Sequence, residues 1–156
     1  MDASTVTRAV ASATCRASLG QPKHRTVMPQ GLQVVTEPAP ERVRQVRRII
    51  AANMERWAFP PPLAEDVQLV VSELLTNAVI HSGADEVTLT LRFIDGFLRI
   101  DVRDGVLKPE PRLRSPSPDA ENGRGLFLVQ TIAGYRQGAW GVSEDGTTTW
   151  CELAVT

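Results

Sequence analysis

Cysteine is nearly missing from this 156-residue chain, which holds only Cys15 and Cys151. Two thiols so far apart support neither a disulfide framework nor a metal-ligand cluster, and a reducing cytoplasm is the simplest setting. Net charge is missing too. Seventeen Lys and Arg against 18 Asp and Glu leave a formal −1, which argues against binding nucleic acid through a broad basic surface. No apolar run approaches the roughly 18 residues of a membrane span. The N-terminus has no continuous apolar stretch, so a signal peptide is not expected. There is no internal repeat. What is present is 42% hydrophobic residues, over a length that suits one domain with a real core.

Residues 1–29 are rich in Ala, Ser and Thr without periodicity, and are expected to form a disordered or loosely attached tail. The domain is expected over 30–156. It opens with a short strand in which Leu32, Val34 and Thr36 alternate with Gln33 and Val35, stopped by Pro38 and Pro40. From Glu41 to Trp57, Val43, Val46, Ile49, Ile50, Met54 and Trp57 recur at helical spacing. Arg42, Arg44, Arg47 and Arg48 fill much of the other face, either as a solvated face or as a surface for an acidic partner. "FPPPL" reads as a stop, after which a second helix begins near Leu63 with Glu65 and Asp66 in its first turn. Val87, Leu89, Leu91 and Phe93 then alternate on one face, as do Leu98, Ile100 and Val102 after the hairpin signal Asp95-Gly96. Thr88, Thr90, Arg92, Arg99, Asp101 and Arg103 fall on the opposite, wet face. A Pro-rich loop over 105–122 leads to a Gly-rich helix start, "GRGLFLVQTIAGY", and a final hairpin turns at Glu144-Asp145-Gly146. This order predicts an α+β two-layer sandwich: a mixed, mostly antiparallel sheet with helices on one face.

Four features carry chemistry. In "VVSELLTNAVIHSG", Glu73, Asn77 and His81 recur every four residues, one polar line on a helix otherwise suited to burial. Burying a carboxylate and an amide costs several kcal/mol unless they are paired. Either neighbours satisfy them, or Asn77 offers an oxygen to Mg²⁺ while Glu73 ligates through water or acts as a base. Asp104 continues the inward row of Leu98, Ile100 and Val102, unless the strand ends at Arg103 and Asp104 merely begins a turn. Gly123 and Gly125 would let backbone approach a ligand ahead of helix N–H groups suited to phosphate, or would simply make a tight turn. Thr147 and Thr149 share the parity of Cys151, Leu153 and Val155, which turns them toward the helix layer near Asp104.

The succession "SELLTNAVIHSG", "DVRDG", "GRGLFLVQTIAG", "GTTTWCEL" resembles the Bergerat (GHKL, histidine-kinase-like) ATP-binding domain of gyrase-type, chaperone-type and histidine-kinase ATPases. Within that superfamily it looks most like the bacterial anti-sigma-factor serine/threonine kinases, over nearly all of the chain beyond the tail. The resemblance implies ATP and Mg²⁺ as cofactors, with Asn77 holding the metal and Glu73 activating a substrate serine. It implies that Asp104, with Gly105 behind it, receives the adenine amino group, and that Thr147 supports that contact. Gly123, Arg124, Gly125 and Leu126 become the phosphate-side segment. The implied partners are a sigma factor and a small antagonist protein, with neither nucleic acid nor membrane; pairing of two copies is also implied. One departure stands out. The family's Asp-x-Gly-x-Gly is here Asp104-Gly105-Val106-Leu107-Lys108, without the second glycine, which bears on phosphoryl transfer more than on binding. The alternative function is an ATP-binding module that transfers nothing. A histidine-kinase fragment is disfavoured, because only the tail and a lone His24 precede the domain. His81 receives no role.

Overall fold

Alternation of period two builds the sheet and spacing of three to four builds the helices. The computed structural model describes residues 8–10, 31–81, 83–105 and 121–156. The strands are β1 (Arg8–Val10), β2 (Leu32–Thr36), β3 (Val87–Ile94), β4 (Phe97–Arg103), β5 (Ala139–Val142) and β6 (Thr148–Ala154); the helices are α1 (Pro40–Arg56), α2 (Pro61–His81) and α3 (Glu121–Tyr135). The sheet has the order β1-β2-β3-β4-β6-β5, and its pairings are antiparallel throughout. The expected α+β sandwich is therefore present, with a sheet that is antiparallel among the described residues where a mixed one was expected. Three residues of the expected tail, Arg8–Val10, add an edge strand to β2. The Pro-rich loop lies mostly outside the described residues.

The two central strands follow their alternation. Leu89, Leu91, Leu98, Ile100 and Val102 are buried, and Asp95 and Gly96 take φ of 50° and 84°, as a tight hairpin between right-twisted strands requires. On the outer face, Arg92 and Arg99 donate to Asp101 at 3.1 and 3.0 Å, and Arg99 also donates to Glu152 at 2.8 Å. The Arg99 guanidinium lies 4.3 Å from the Trp150 ring centre, so one aromatic and a charge network cover this open side.

Helix α1 buries Val46, Ile50 and Met54, one turn apart each, and exposes Arg44, Arg47 and Arg48. Arg42 is half-buried and donates to Gln45 at 2.8 Å, so most of the arginine row is a solvated face. "FPPPL" is a helix start as well as a stop. Pro61 and Pro62 form the first turn of α2, where a missing N–H costs no hydrogen bond and φ is already suitable. Glu65 and Asp66 consequently fall in the second turn rather than the first.

Asp66 has another use. Arg136, just past α3, donates to it at 2.6 Å, with both side chains largely buried. Partial burial first, and then the Asp66 carboxylate, hold the neighbouring Tyr135 hydroxyl above its ordinary range. This pair ties the start of α2 to the end of α3, so Asp66→Ala is expected to cost about 2 kcal/mol, the scale for a hydrogen bond between charged groups. Urea unfolding should show a lower midpoint with an unchanged slope. No loss would mean that the ion pair is as replaceable as an exposed one.

Cys151 is a free thiol within the core, and burial pushes it up to about 12. It is packing material rather than a nucleophile. Among the described residues no helix is long and apolar enough to cross a membrane.

Candidate functional site

The site begins where β4 ends. Val102 pairs with Thr149 and Arg103 with Thr148, and the ladder continues one residue further, with the Asp104 N–H donating to the Thr147 carbonyl at 3.2 Å. Asp104 therefore keeps the inward parity although the strand proper stops at Arg103. It is 2% exposed, a carboxylate where the next core side chain would stand. Gly105 follows with φ of 72°, a conformation that turns the chain away and that a residue with Cβ rarely adopts. A Cβ at 105 would meet nothing within 4 Å, so the backbone turn explains this glycine and close contact does not.

Thr147 sits opposite Asp104, but its hydroxyl is engaged elsewhere. It donates to Asp145 Oδ1 at 2.8 Å, and the Thr147 N–H donates to the same oxygen at 3.1 Å. With the Ser143 hydroxyl as the strongest contributor, these bonds hold the Asp145 carboxyl down at about 2. The only hydroxyl proton of Thr147 is thus committed to the turn, and its oxygen can offer lone pairs but no donor. Thr149, to which the resemblance gives no role, is 4% exposed in the same inward row, as its parity with Thr147 in the sequence signals.

On α2, Glu73 and Asn77 are half-buried and one turn apart, while His81 is exposed at the last residue. Helix α3 runs antiparallel to α2. At one end Arg136 meets Asp66; at the other, Gly125 lies directly against the Glu73 side chain. Glu73 therefore stands beside the first turns of α3, the end of a helix where backbone N–H groups lack intrahelical partners and favour negative charge. Gly123 and Gly125 are the third and fifth residues of α3, which starts earlier than the expected Gly-rich turn. Arg124 is exposed, and Leu126 packs against the core. Two groups result: Glu73, against Gly125 of α3 and one helical turn from Asn77 on α2, and Asp104 with Thr147 and Thr149 at the sheet end. Helix α2 packs on both α3 and β4 and so joins them.

This donor set fits a magnesium nucleotide. Among the described residues no three His, Cys, Asp or Glu gather to hold a metal by themselves. Mg²⁺ bound with phosphates needs only one or two protein oxygens, the rest coming from phosphate and water. The Asn77 side-chain amide carries one such oxygen. A buried carboxylate at Asp104 suits a ligand that donates hydrogen bonds, such as an amino group.

An α+β sandwich that carries a polar line on α2 and a buried acid at the end of β4 has the layout of a GHKL-type ATPase domain. Residues 36–149 match the family model of the histidine kinase-like ATPase domain, well over half of the chain, and the chain belongs to that family. Domains of this kind bind ATP, typically with Mg²⁺. No curated protein matches the chain.

Proposed function

We propose that this ATPase domain is an anti-sigma factor with serine/threonine kinase activity, which phosphorylates a small antagonist protein in a partner-switching pathway. The carrying observation is Glu73: a half-buried carboxylate one turn from Asn77, held between α2 and the first turns of α3. A carboxylate in such a place can accept the proton of a serine hydroxyl as that oxygen attacks a phosphoryl group. Mg-ATP, when bound, supplies the phosphoryl group and the charge that offsets its transfer. The protein's own part is positioning. Asn77 would offer an oxygen to the metal, the α3 N-terminus with Gly123 and Arg124 would face the phosphates, and Asp104 would accept from the adenine amino group, while Gly125 stands against Glu73. Guanine carries a carbonyl at that place, which a carboxylate repels, so the site selects adenine. Thr147 and Thr149 flank that contact; with its proton committed to Asp145, Thr147 acts as an acceptor. Leu126 and Gly105 shape the segment and the turn behind these groups. The reading carries a cytoplasmic setting, a domain spanning 30–156, a sigma factor and its antagonist as partners, and pairing of two copies.

Titration calorimetry with Mg-ATP tests the nucleotide site. Wild-type protein is expected to bind ATP and to prefer it to GTP. Asp104→Asn is expected to weaken ATP binding roughly 10- to 100-fold, the worth of a hydrogen bond to a charged group. Failure of the wild-type protein to bind, or equal affinity in Asp104→Asn, removes this assignment. Labelled ATP and a candidate antagonist then separate the kinase from a binding module, since a module would bind ATP and leave every antagonist unlabelled.

A further inference from the structure

Gly125 reads in the sequence as part of a phosphate cradle, yet the fold gives it a different surrounding. It is the fifth residue of α3, and its φ is not among the positive ones, so the backbone does not demand glycine. Within a helix, glycine is the poorer choice against alanine. What excludes a larger residue is Glu73. A Cβ at 125 would overlap the Glu73 Oε2 and lie 3.5 Å from its Cδ and 3.7 Å from its Cβ. No backbone atom lies among those nearest neighbours. The conflict is therefore with the end of one flexible side chain and not with the packing of α2 on α3. Gly134, in the same helix, is the built-in contrast: a Cβ there would meet nothing within 4 Å.

We propose that Gly125 is a positioning residue for Glu73, its missing side chain being what lets the carboxylate rest against the first turns of α3. The catalytic consequence rests on the kinase reading above; the steric coupling does not. A methyl group at 125 drives the carboxylate out of the crevice by rotation about its χ angles, while the helix itself gains. A displacement of about 1 Å of a reacting group can cost about a hundredfold in rate. ATP affinity is expected to change little, because the Glu73 carboxylate acts on the acceptor serine and not on the nucleotide.

A double-mutant cycle tests this. Gly125→Ala, Glu73→Asp and the double variant are compared with wild type, with Gly134→Ala as the control for helix propensity. The readouts are the thermal midpoint, the Kd for Mg-ATP, and kcat for transfer to the antagonist. Gly134→Ala is expected to raise the midpoint and leave kcat unchanged. Gly125→Ala is expected to raise the midpoint less than Gly134→Ala, keep Kd within about threefold of wild type, and lower kcat about a hundredfold. In the Glu73→Asp background, whose shorter side chain vacates the space, Gly125→Ala is expected to raise the midpoint as Gly134→Ala does and to lower kcat no further. The proposal is overturned if Gly125→Ala matches Gly134→Ala in midpoint, or if its effects are the same in both backgrounds. A wild-type protein that transfers no phosphate while the midpoints still show the coupling would refute the kinase reading and support the placement of Glu73 by Gly125.

Discussion

Glu73→Gln is expected to abolish most phosphoryl transfer while leaving the nucleotide in place. The amide has nearly the volume of the carboxylate, so it can occupy the same crevice against Gly125 without opening a cavity. What it loses is basicity. A positioned general base contributes about 10²- to 10⁴-fold, and kcat is expected to fall by that factor. Because the proton is taken only as the serine oxygen attacks, kcat and kcat/KM should fall together. The Kd for Mg-ATP, measured by calorimetry, should stay within about threefold of wild type if Glu73 serves the acceptor alone. A parallel loss in ATP affinity would move Glu73 from the acceptor to the metal, as a ligand through water, and leave the base unassigned. Stability offers a second check, since Gln keeps the volume that fills the half-buried crevice and should leave the unfolding midpoint close to that of wild type.

The differences in legibility follow from the range over which each feature is determined. The β3–β4 hairpin was readable because its alternation and Asp95-Gly96 are local, and the observed φ angles at that turn are what the pair favours. Helix α1 was readable to within a residue for the same reason. The start of α2 is less legible because proline stops one helix and suits the first turn of the next with the same fixed φ; Pro61 and Pro62 do the second. Helix α3 is legible from "GRGLFLVQTIAGY", but it begins at Glu121, ahead of the glycines, because Gly123 and Gly125 suit a turn as well as a helix and the sequence does not show which. Strand β1 is three residues long, too short for any period to register. The inward aim of Asp104 was open in the sequence. It was decided by one backbone bond to Thr147, which keeps the parity past the end of the strand. Thr147 illustrates the remaining gap: Asp145, two residues earlier, captures its hydroxyl. Such Asx-type bonds are signalled by an Asp ahead of Gly and Thr in a turn, and the sequence "SEDGTT" carried that signal.

The largest stability loss is expected at Gly138, where the corner between α3 and β5 closes onto β6. Helix α3 ends with paired bonds in which the Gly138 N–H donates to the Ala133 carbonyl at 2.8 Å and the Gln137 N–H donates to Gly134 at 3.2 Å, with Gln137 at φ 53°. This is the geometry of a Schellman motif, which fixes the direction in which the chain leaves the helix. It leaves toward β6. The Ala154 N–H donates to the Arg136 carbonyl at 3.1 Å, clamping the exit to the last strand. In that corner a Cβ on residue 138 would overlap the Glu152 carbonyl oxygen and lie 2.7 Å from its carbon and 3.3 Å from the Leu153 Cα. These are backbone atoms of a strand paired on both sides, with β4 and with β5, so no rotamer can relieve the overlap. Relief requires moving β6 or the end of α3, and either breaks the clamp or the helix-terminal bonds. Gly138→Ala is therefore expected to cost about 3 kcal/mol, the upper end for overpacking in a rigid place, with a clear fall in the urea midpoint. Gly125→Ala provides the contrast, because there the neighbour is a movable carboxylate. If Gly138→Ala unfolded at the wild-type midpoint, β6 would have to be free to shift past α3. The inward row from Leu153 to Thr149 could then not hold Asp104 at a fixed place either, since Asp104 is attached to that same strand side by its bond to Thr147.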